Sequence, residues 1–499
     1  MEVDELKRRT ASSVFWSLAR VGWSNVASFA IFTCLTRLLE PRTFGVYALA
    51  ALLVEITRII ANAGLSDAII REPVVDEDLA STAFWANIGA GVLVAVGVVA
   101  LAGPYGAMMH EPKIVPVLYA LAVLIPLSSA GGIHTARKLR DFGHKSIAAR
   151  TAAASTLGGI LAVGAAGLGG GVWSLVVQAA VVDIVGVAFA WQSYPWRPKF
   201  VFRWDRLREL LAFSAGMMGT QLLWLLLARV PDLFIGRVWG AAAVGVYRVA
   251  YRMIDFVAQA VLAPIGAVAL VTLARLQEDP ERFNKAYTRM VGLVGLATLP
   301  AIAGLGAVSG DAIHLLFGGK WDAGAPVSAV LSLIALPLTL NYFAAPALAA
   351  KGRSRVVLEI AAVQLATTAL FVWLATPHGL VAVGAAYVAR MYLTMPYAQW
   401  ALHRHIGVPI GSAFRALGAP LVLSAVMAAA VIEARLSLWP GVSAPATRLL
   451  CATALGAGVY VAGMAVFGRR LLLSYAGALL PIARGLMPRP AFMGRSDAR

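Results

Sequence analysis

Two cysteines, seven histidines and 25 acidic residues in a chain of 499 remove several classes of protein at the outset. Two cysteines cannot build a disulfide scaffold. Both, Cys34 and Cys451, sit in apolar stretches and read as small core residues rather than a metal pair. The histidines are scattered. His403 and His405 form an H-x-H that reads better as the solvated end of an inner loop than as a metal site. Charged residues make up 13% of the chain, about half the roughly 25% of a soluble domain. A nucleotide loop is also missing. Gly167-Leu168-Gly169-Gly170-Gly171 and Gly318-Gly319-Lys320 do not match G-x-x-x-x-G-K-[ST], and Trp321 follows the second. Asp76-Glu77-Asp78 has the spacing of a sugar-transferase metal motif. It directly precedes an apolar run, where acids favour a helix start, and is read as a cap.

What is abundant is apolar sequence. Sixty per cent of the residues are hydrophobic and the mean hydropathy is +0.77. A membrane-spanning helix needs about 20 mostly apolar residues. Such stretches fall near 14–36, 43–63, 81–103, 114–134, 146–166, 171–191, 211–231, 242–263, 288–309, 324–348, 355–375, 380–400, 413–433 and 446–466. They are too long and too continuous for β-barrel strands. The expectation is an all-α polytopic membrane protein of about 14 transmembrane helices, in two six-helix lobes plus a C-terminal helix pair. The first stretch is too long for a cleavable signal and is expected to stay in the membrane.

The net charge of +17 could suggest a nucleic-acid partner, but its placement argues for topology. With the N-terminus inside, most Lys and Arg fall in the inner segments. Examples are Lys7, Arg8 and Arg9; Arg137, Lys138 and Arg140; Lys351, Arg353 and Arg355; and Arg469 and Arg470. This asymmetry predicts that both termini are cytoplasmic. The same basic face could hold anionic membrane lipids. The outer loops are short, the longest near 104–113, 310–323 and 434–445, and leave no room for a sizeable soluble domain.

A pattern recurs 200 residues apart. Arg37 precedes Gly45-Val46-Tyr47, and Arg237 precedes Gly245-Val246-Tyr247; Glu55 then matches Asp255. A repeated membrane module with repeated intramembrane charge predicts a transporter of two similar lobes with its pathway between them. The alternative is a purely structural repeat. The predicted divisions are 1–209 for the N-lobe and linker, 210–400 for the C-lobe, and 401–499 for the last pair and a basic tail. The linker Trp196, Arg197, Lys199, Phe200, Phe202, Arg203, Trp204, Arg206, Arg208 alternates rings and cations, as suits the inner interface. A headgroup platform for substrate is the other reading. Residues 470–487 could lie on the membrane surface, and the last dozen look disordered.

Charges inside spans each cost roughly 2.5–3.5 kcal/mol at mid-bilayer, so they need partners or a wet cavity. Their spacing is helical. Ser17, Arg20, Ser24 and Ser28 share a face, as do Glu55, Arg58 and Asn62, and Arg248, Arg252, Asp255 and Gln259. Gln221, Arg229 and Asp232 belong to the seventh span. Five arginines (Arg20, Arg58, Arg229, Arg248 and Arg252) against Glu55, Asp232 and Asp255 predict a cationic chamber for an anionic substrate, with guanidinium suited to phosphate. Glu55–Arg58 and Arg252–Asp255 could instead be neutral i, i+3 pairs, leaving Arg20, Arg229 and Arg248 without local partners. Asp183, Glu359 and Arg390 are isolated in sequence. They could pair across helices, or a buried carboxylate could carry a proton. No cofactor or metal is expected, apart from coupling to an H+ or Na+ gradient.

The stretch Arg37-Leu38-Leu39-Glu40-Pro41-Arg42-Thr43-Phe44-Gly45-Val46-Tyr47-Ala48-Leu49 resembles the first outer turn of bacterial polysaccharide flippases, R-L-L-x-P-x-x-[FY]-G-x-Y-[AS]-L. Asn62-Ala63-Gly64-Leu65 resembles the end of that family's second helix. The family belongs to the multidrug/oligosaccharidyl-lipid/polysaccharide exporter superfamily, and the resemblance covers nearly the whole chain. It implies a non-enzymatic inner-membrane flippase. Its cargo would be an undecaprenyl-pyrophosphate-linked oligosaccharide, moved by alternating access for O-antigen, capsule or exopolysaccharide. It also implies a polysaccharide polymerase and chain-length machinery as candidate partners. The alternatives are a peptidoglycan-precursor flippase, a drug or cation antiporter, whose cavity should lean acidic, and a membrane-embedded polymerase or ligase, which should carry a large outer loop.

Overall fold

The computed structural model describes residue 22 and residues 25–62, 64–72, 75–141, 144–439 and 444–469. Ser17, Arg20 and Ser24, the surface segment expected at 470–487 and the last dozen residues lie outside that set. The described chain is all α, with short 3-10 turns and no strand among the described residues. It opens with α1 (Asn25–Leu38). There follow α2 (Pro41–Asn62), α3 (Leu65–Arg71), α4 (Glu77–Met108), α5 (Ile114–Arg140), α6 (His144–Gly167) and α7 (Val172–Ser193). Next come α8 (Trp204–Arg275), α9 (Pro280–Ala307) and α10 (Ser309–Phe317). Short helices α11 (Ala325–Leu331), α12 (Ala335–Asn341) and α13 (Ala344–Ala350) lead to α14 (Ser354–Ala375), α15 (Leu380–Ile406), α16 (Ile410–Ser437) and α17 (Pro445–Phe467).

Ten of the described segments are long and apolar enough to cross a membrane. The expectation was about fourteen, and three structural features lie behind the difference. The seventh and eighth predicted spans fall on one helix, α8, which runs 72 residues and is broken at Gly240 (φ 77°, ψ 179°). That backbone conformation is almost exclusive to glycine, so the chain changes direction there without a loop. The first predicted span is described only in part. The helices α6 and α15 are full length but are not among the ten. The predicted boundary at 209/210 falls inside α8; the linker is non-helical as far as Arg203, and its last residues, from Trp204, begin α8.

Local sequence explains the starts and stops. Asp76 caps α4, its carboxylate accepting from the Leu79 amide at 2.6 Å, so the acidic triplet is a cap as expected. The linker lies against that helix start. Lys199 pairs with Glu77 at 2.6 Å, Arg203 with Asp78 at 3.8 Å and Arg206 with Asp76 at 3.7 Å. The hydrogen bond and charge of Glu77 hold the Lys199 ammonium above its ordinary pKa. Phe200, stacked on Trp85, and Trp204 stay exposed while Trp196 is buried, as suits rings at the depth where headgroups would lie. Cys34 and Cys451 are exposed, not core as expected. Lipid is as apolar as a core, so an apolar stretch does not reveal which of its faces is buried.

Helices α4 and α5 pair, as do α6 and α7, α9 and α16, α14 and α15, and α16 and α17; α2 runs along α8. Contacts tie the predicted outer segments to one another at one end. Lys320 donates to the Arg37 carbonyl, the Trp321 indole to the Thr36 carbonyl, and Trp239 to the Thr376 carbonyl. At the other end Arg137 stacks on Tyr194 and Trp196, and Lys351 donates to the Gln277 carbonyl. Reporter fusions at Lys138, Arg203, Lys285 and Lys351 are therefore expected to read cytoplasmic. Fusions at Lys320 and Ser437 should read on the opposite side. An external reading at Arg203 would overturn the arrangement.

Candidate functional site

The sequence repeat becomes a contact. The starts of α2 and of the second half of α8 cross at their glycines. A Cβ on Gly45 would lie 1.6 Å from the Ala241 carbonyl oxygen, and one on Gly245 would lie 2.0 Å from that of Pro41. Positions 41 and 45 thus meet 241 and 245 reciprocally. Only residues without a side chain allow two helix backbones this close. The arginines that precede each glycine reach across as well. Arg37 donates from Nε to the Leu316 carbonyl at 3.0 Å and from Nη2 to the Leu315 carbonyl. Arg237 Nη1 meets His110 Nδ1 at 3.2 Å. These contacts close the end expected to face outward.

A third repeated pair escaped the sequence reading. Glu111 and Asp311 are also 200 residues apart, and both are buried. Glu111 takes both arms of Arg42, at 2.8 and 3.1 Å. Asp311 holds Arg435 and Arg448, each at 2.9 Å, and so ties α10 to α16 and α17. The repeat offset, applied to acids near the loops, would have found them.

Below the closure, about 5–15 Å deeper at 1.5 Å per helical residue, the intramembrane charges meet. Arg229 grips Glu55 with Nε–Oε2 at 2.9 Å and Nη2–Oε1 at 2.7 Å. This joins the first half of α8 to α2. Asp232, 1% exposed, sits 3.6 Å from Arg229 and 3.2 Å from Arg248. Its oxygens accept no hydrogen bond among the described residues, so the two guanidiniums hold it by charge. Arg252 pairs with Asp255 at 3.2 Å and donates to the Ser28 hydroxyl at 2.8 Å. Arg58 pairs with Asp183 at 2.5 Å. Gln221 donates to Asp67 at 3.1 Å.

Several expectations change accordingly. Arg229 and Arg248 do have partners, supplied by other helices or by Asp232. The expected Glu55–Arg58 pair is replaced by Glu55–Arg229 and Arg58–Asp183, because each side chain finds a closer partner across a helix interface than along its own helix. Arg252–Asp255 forms as expected. Asp183 pairs across helices, one of the two readings its sequence position left open. Glu359 pairs with Arg355 at 3.4 Å near the start of α14 and is exposed, away from this cluster. Among the described residues the cluster is therefore neutral. Arg58, Arg229, Arg248 and Arg252 stand against Glu55, Asp183, Asp232 and Asp255. Of the predicted cationic chamber, Arg20 lies outside the described residues.

Each half of the molecule also holds a cavity, with polar residues in a largely apolar lining, beside a helix break. In the N-terminal half, a cavity of about 590 Å³ is lined by Arg58, Asn62, Gly64, Asp67, Arg150 and Asp183. It lies where Gly64 (φ 65°) separates α2 from α3. In the C-terminal half, a cavity of about 400 Å³ includes Gln259 and Arg390 and lies at the break between α12 and α13. Breaks of this kind free backbone groups that only a protein-lined or wet space can satisfy. Among the described residues, no group of three His, Cys, Asp or Glu is placed to hold a metal ion.

Comparison with known proteins agrees with this architecture. The chain is 27% identical over 485 residues to the succinoglycan biosynthesis transport protein ExoT of Rhizobium meliloti, covering 96% of this chain and 97% of that one. It is 23% identical over 362 residues to the lipopolysaccharide biosynthesis protein WzxC of Escherichia coli, covering 70% and 71%. Its fold matches that of the lipid II flippase MurJ in an inward closed conformation. The TM-score is 0.76 and the identity 11%, over 92% of this chain and 100% of that one. Residues 34–326 match the polysaccharide biosynthesis protein family, and the chain belongs to that family.

Proposed function

We propose that this multi-pass membrane protein flips a lipid-linked oligosaccharide across the bacterial inner membrane for surface polysaccharide, by alternating access between two lobes. The reading treats residues 1–209 and 210–400 as the lobes, 401–499 as an added helix pair and tail, and both termini as cytoplasmic. The observation that carries it is the reciprocal crossing at Gly45 and Gly245. One end is shut by a contact between the two repeats themselves. The ion pairs Glu55–Arg229 and Asp232–Arg248 lie deeper, with Glu55 and Arg248 partly accessible and Asp232 buried. A closure made by the repeat axis can open by rocking one lobe against the other. The paired charges and the amides Asn62, Gln221 and Gln259 then present donors and acceptors suited to a saccharide, with no net charge to trap it.

The names of the relatives place one in succinoglycan biosynthesis transport and one in lipopolysaccharide biosynthesis, which favours a saccharide over a drug as cargo. A polymerase and chain-length machinery would act on the flipped product. Coupling to an H+ or Na+ gradient would draw on Asp183, Asp255 or Glu55. The test is a deletion strain scored for capsule, exopolysaccharide and O-antigen. Loss of one of these, restored by the wild-type gene, is expected. Unchanged surface polysaccharide with altered drug resistance would contradict the reading.

A further inference from the structure

We infer that the cavity around Arg390 in the C-terminal half is a subsite for a sugar bearing an oxyanion, carboxylate or phosphate, within the transported saccharide. This rests on the saccharide reading above and adds a place and a charge to it. Arg390 is 2% exposed, lines the cavity and has no carboxylate partner among the described residues. Its buried Nε has no hydrogen-bond partner. Its guanidinium lies over the Tyr387 ring, 4.7 Å from the centroid, and Tyr251 meets that ring edge-on at 6.2 Å. Arg58, Arg229, Arg248 and Arg252 of the central cluster each have a carboxylate. A buried unpaired cation in a span is costly and marks a functional site by default.

The contrast with the N-terminal cavity sharpens this. There Arg58 is neutralised by Asp183, and Asp67 is engaged by Gln221. Around Arg390 the polar neighbours are neutral: Gln259, Asn341, Tyr342, Gln364 and Thr394. A cavity that holds one guanidinium, with hydroxyls and amides in its lining and apolar walls such as Leu338 and Ile360, fits one charged sugar unit. The ring hydroxyls would meet the amides and tyrosines, and the oxyanion would meet Arg390. A volume of about 400 Å³ is near the low end of the roughly 300–1,000 Å³ of small-molecule sites, too small for the whole cargo. The exposed Trp224 and Ala228 form part of its wall, and Ala228 precedes Arg229 in α8.

The test is calorimetric titration of the purified full-length protein with glucuronate, glucose 1-phosphate, glucose and inorganic pyrophosphate. Both charged sugars are expected to bind roughly tenfold or more tightly than glucose and than pyrophosphate. Arg390→Gln should weaken them by a similar factor, and Arg390→Lys by less, as expected for loss of a hydrogen bond to a charged group. Unchanged binding in Arg390→Gln would overturn the inference. Tight pyrophosphate binding that depends on Arg390 would also overturn it, since the site would then serve the lipid headgroup. Should Arg390→Gln fail to accumulate, Gln259→Ala and Tyr251→Phe decide the matter: weakened sugar binding supports the subsite, and unchanged binding by both overturns it. Translocation of a lipid-linked neutral oligosaccharide in vesicles separates this from the broader reading. Wild-type translocation without Arg390-dependent sugar binding sinks the subsite alone. Arg390-dependent binding without any translocation sinks the flippase reading instead.

Discussion

Gly45→Leu is expected to abolish polysaccharide export while leaving the protein inserted in the membrane. Even the first carbon of the new side chain would lie 1.6 Å from the Ala241 carbonyl oxygen. That neighbour is backbone inside a helix and cannot rotate away. The start of α2 must therefore separate from the second half of α8, and the outer closure cannot form. Gly245→Ala should act similarly, since its Cβ would lie 2.0 Å from the Pro41 carbonyl oxygen. Because both substitutions open one crossing, the double variant should be little worse than either single one. Gly97→Ala, with nothing within 4 Å of its Cβ, is the control and should export normally. The accompanying readout is a cysteine at Thr43, in the outer crevice shared with Ala242. A membrane-impermeant thiol reagent should label it faster in the Gly45→Leu background. Full export by Gly45→Leu would show that closure at this crossing is not part of the cycle.

Asp232→Ala is expected to cost most of the accumulated protein. Asp232 is 1% exposed and faces both Arg229 and Arg248. Its removal leaves Arg248 with no counter-charge and Arg229 with Glu55 alone. Breaking a buried pair by deleting one partner costs about 3–5 kcal/mol, a large share of the roughly 5–15 kcal/mol that holds a typical domain folded. Arg248→Ala should be milder, because Arg229 still faces the carboxylate. Combining Asp232→Ala with Arg248→Met should recover part of the loss, since a neutral side chain no longer strands a charge. The check is the amount and thermal midpoint of purified protein for each variant. Normal accumulation of Asp232→Ala would remove Asp232 from its structural place. It would then leave Arg229 and Arg248 as the substrate-gripping arginines suggested by helix periodicity alone.

Helix periodicity was the source of both the successes and the errors in reading this chain. It put Glu55 and Arg58 on one face of α2, and that face does hold the ion pairs. It could not choose between a partner three residues away and one on another helix. Arg58 lies 125 residues from Asp183, and Arg229 lies 174 from Glu55. Such pairs follow from packing, which a single sequence does not display. The 200-residue repeat was legible because glycine, tyrosine and charge recur in register, and the crossing at Gly45 and Gly245 is its physical cause. The breaks in 319–350 were hidden because an apolar run looks the same whether it forms one helix or several short ones. The missing loop at Gly240 was hidden for a related reason. A single glycine with positive φ can turn the chain where the hydropathy pattern suggests two separate spans.

Arg390 shows the reverse. In sequence it was one isolated charge among three, sharing a helix face with Tyr387 and Thr394. Packing gave Asp183 an arginine from another helix, Glu359 took Arg355 from its own, and Arg390 was left with a tyrosine ring.

The central claim, transport by opening and closing the Gly45–Gly245 crossing, is tested most directly in proteoliposomes. Purified protein is reconstituted with a fluorescent lipid-linked oligosaccharide, and a membrane-impermeant reductant reports how much of it remains in the inner leaflet. The account predicts that wild-type protein makes the protected fraction accessible, while Gly45→Leu leaves it at the level of protein-free vesicles. Equal translocation by the two proteins, or none by the wild type, would contradict it.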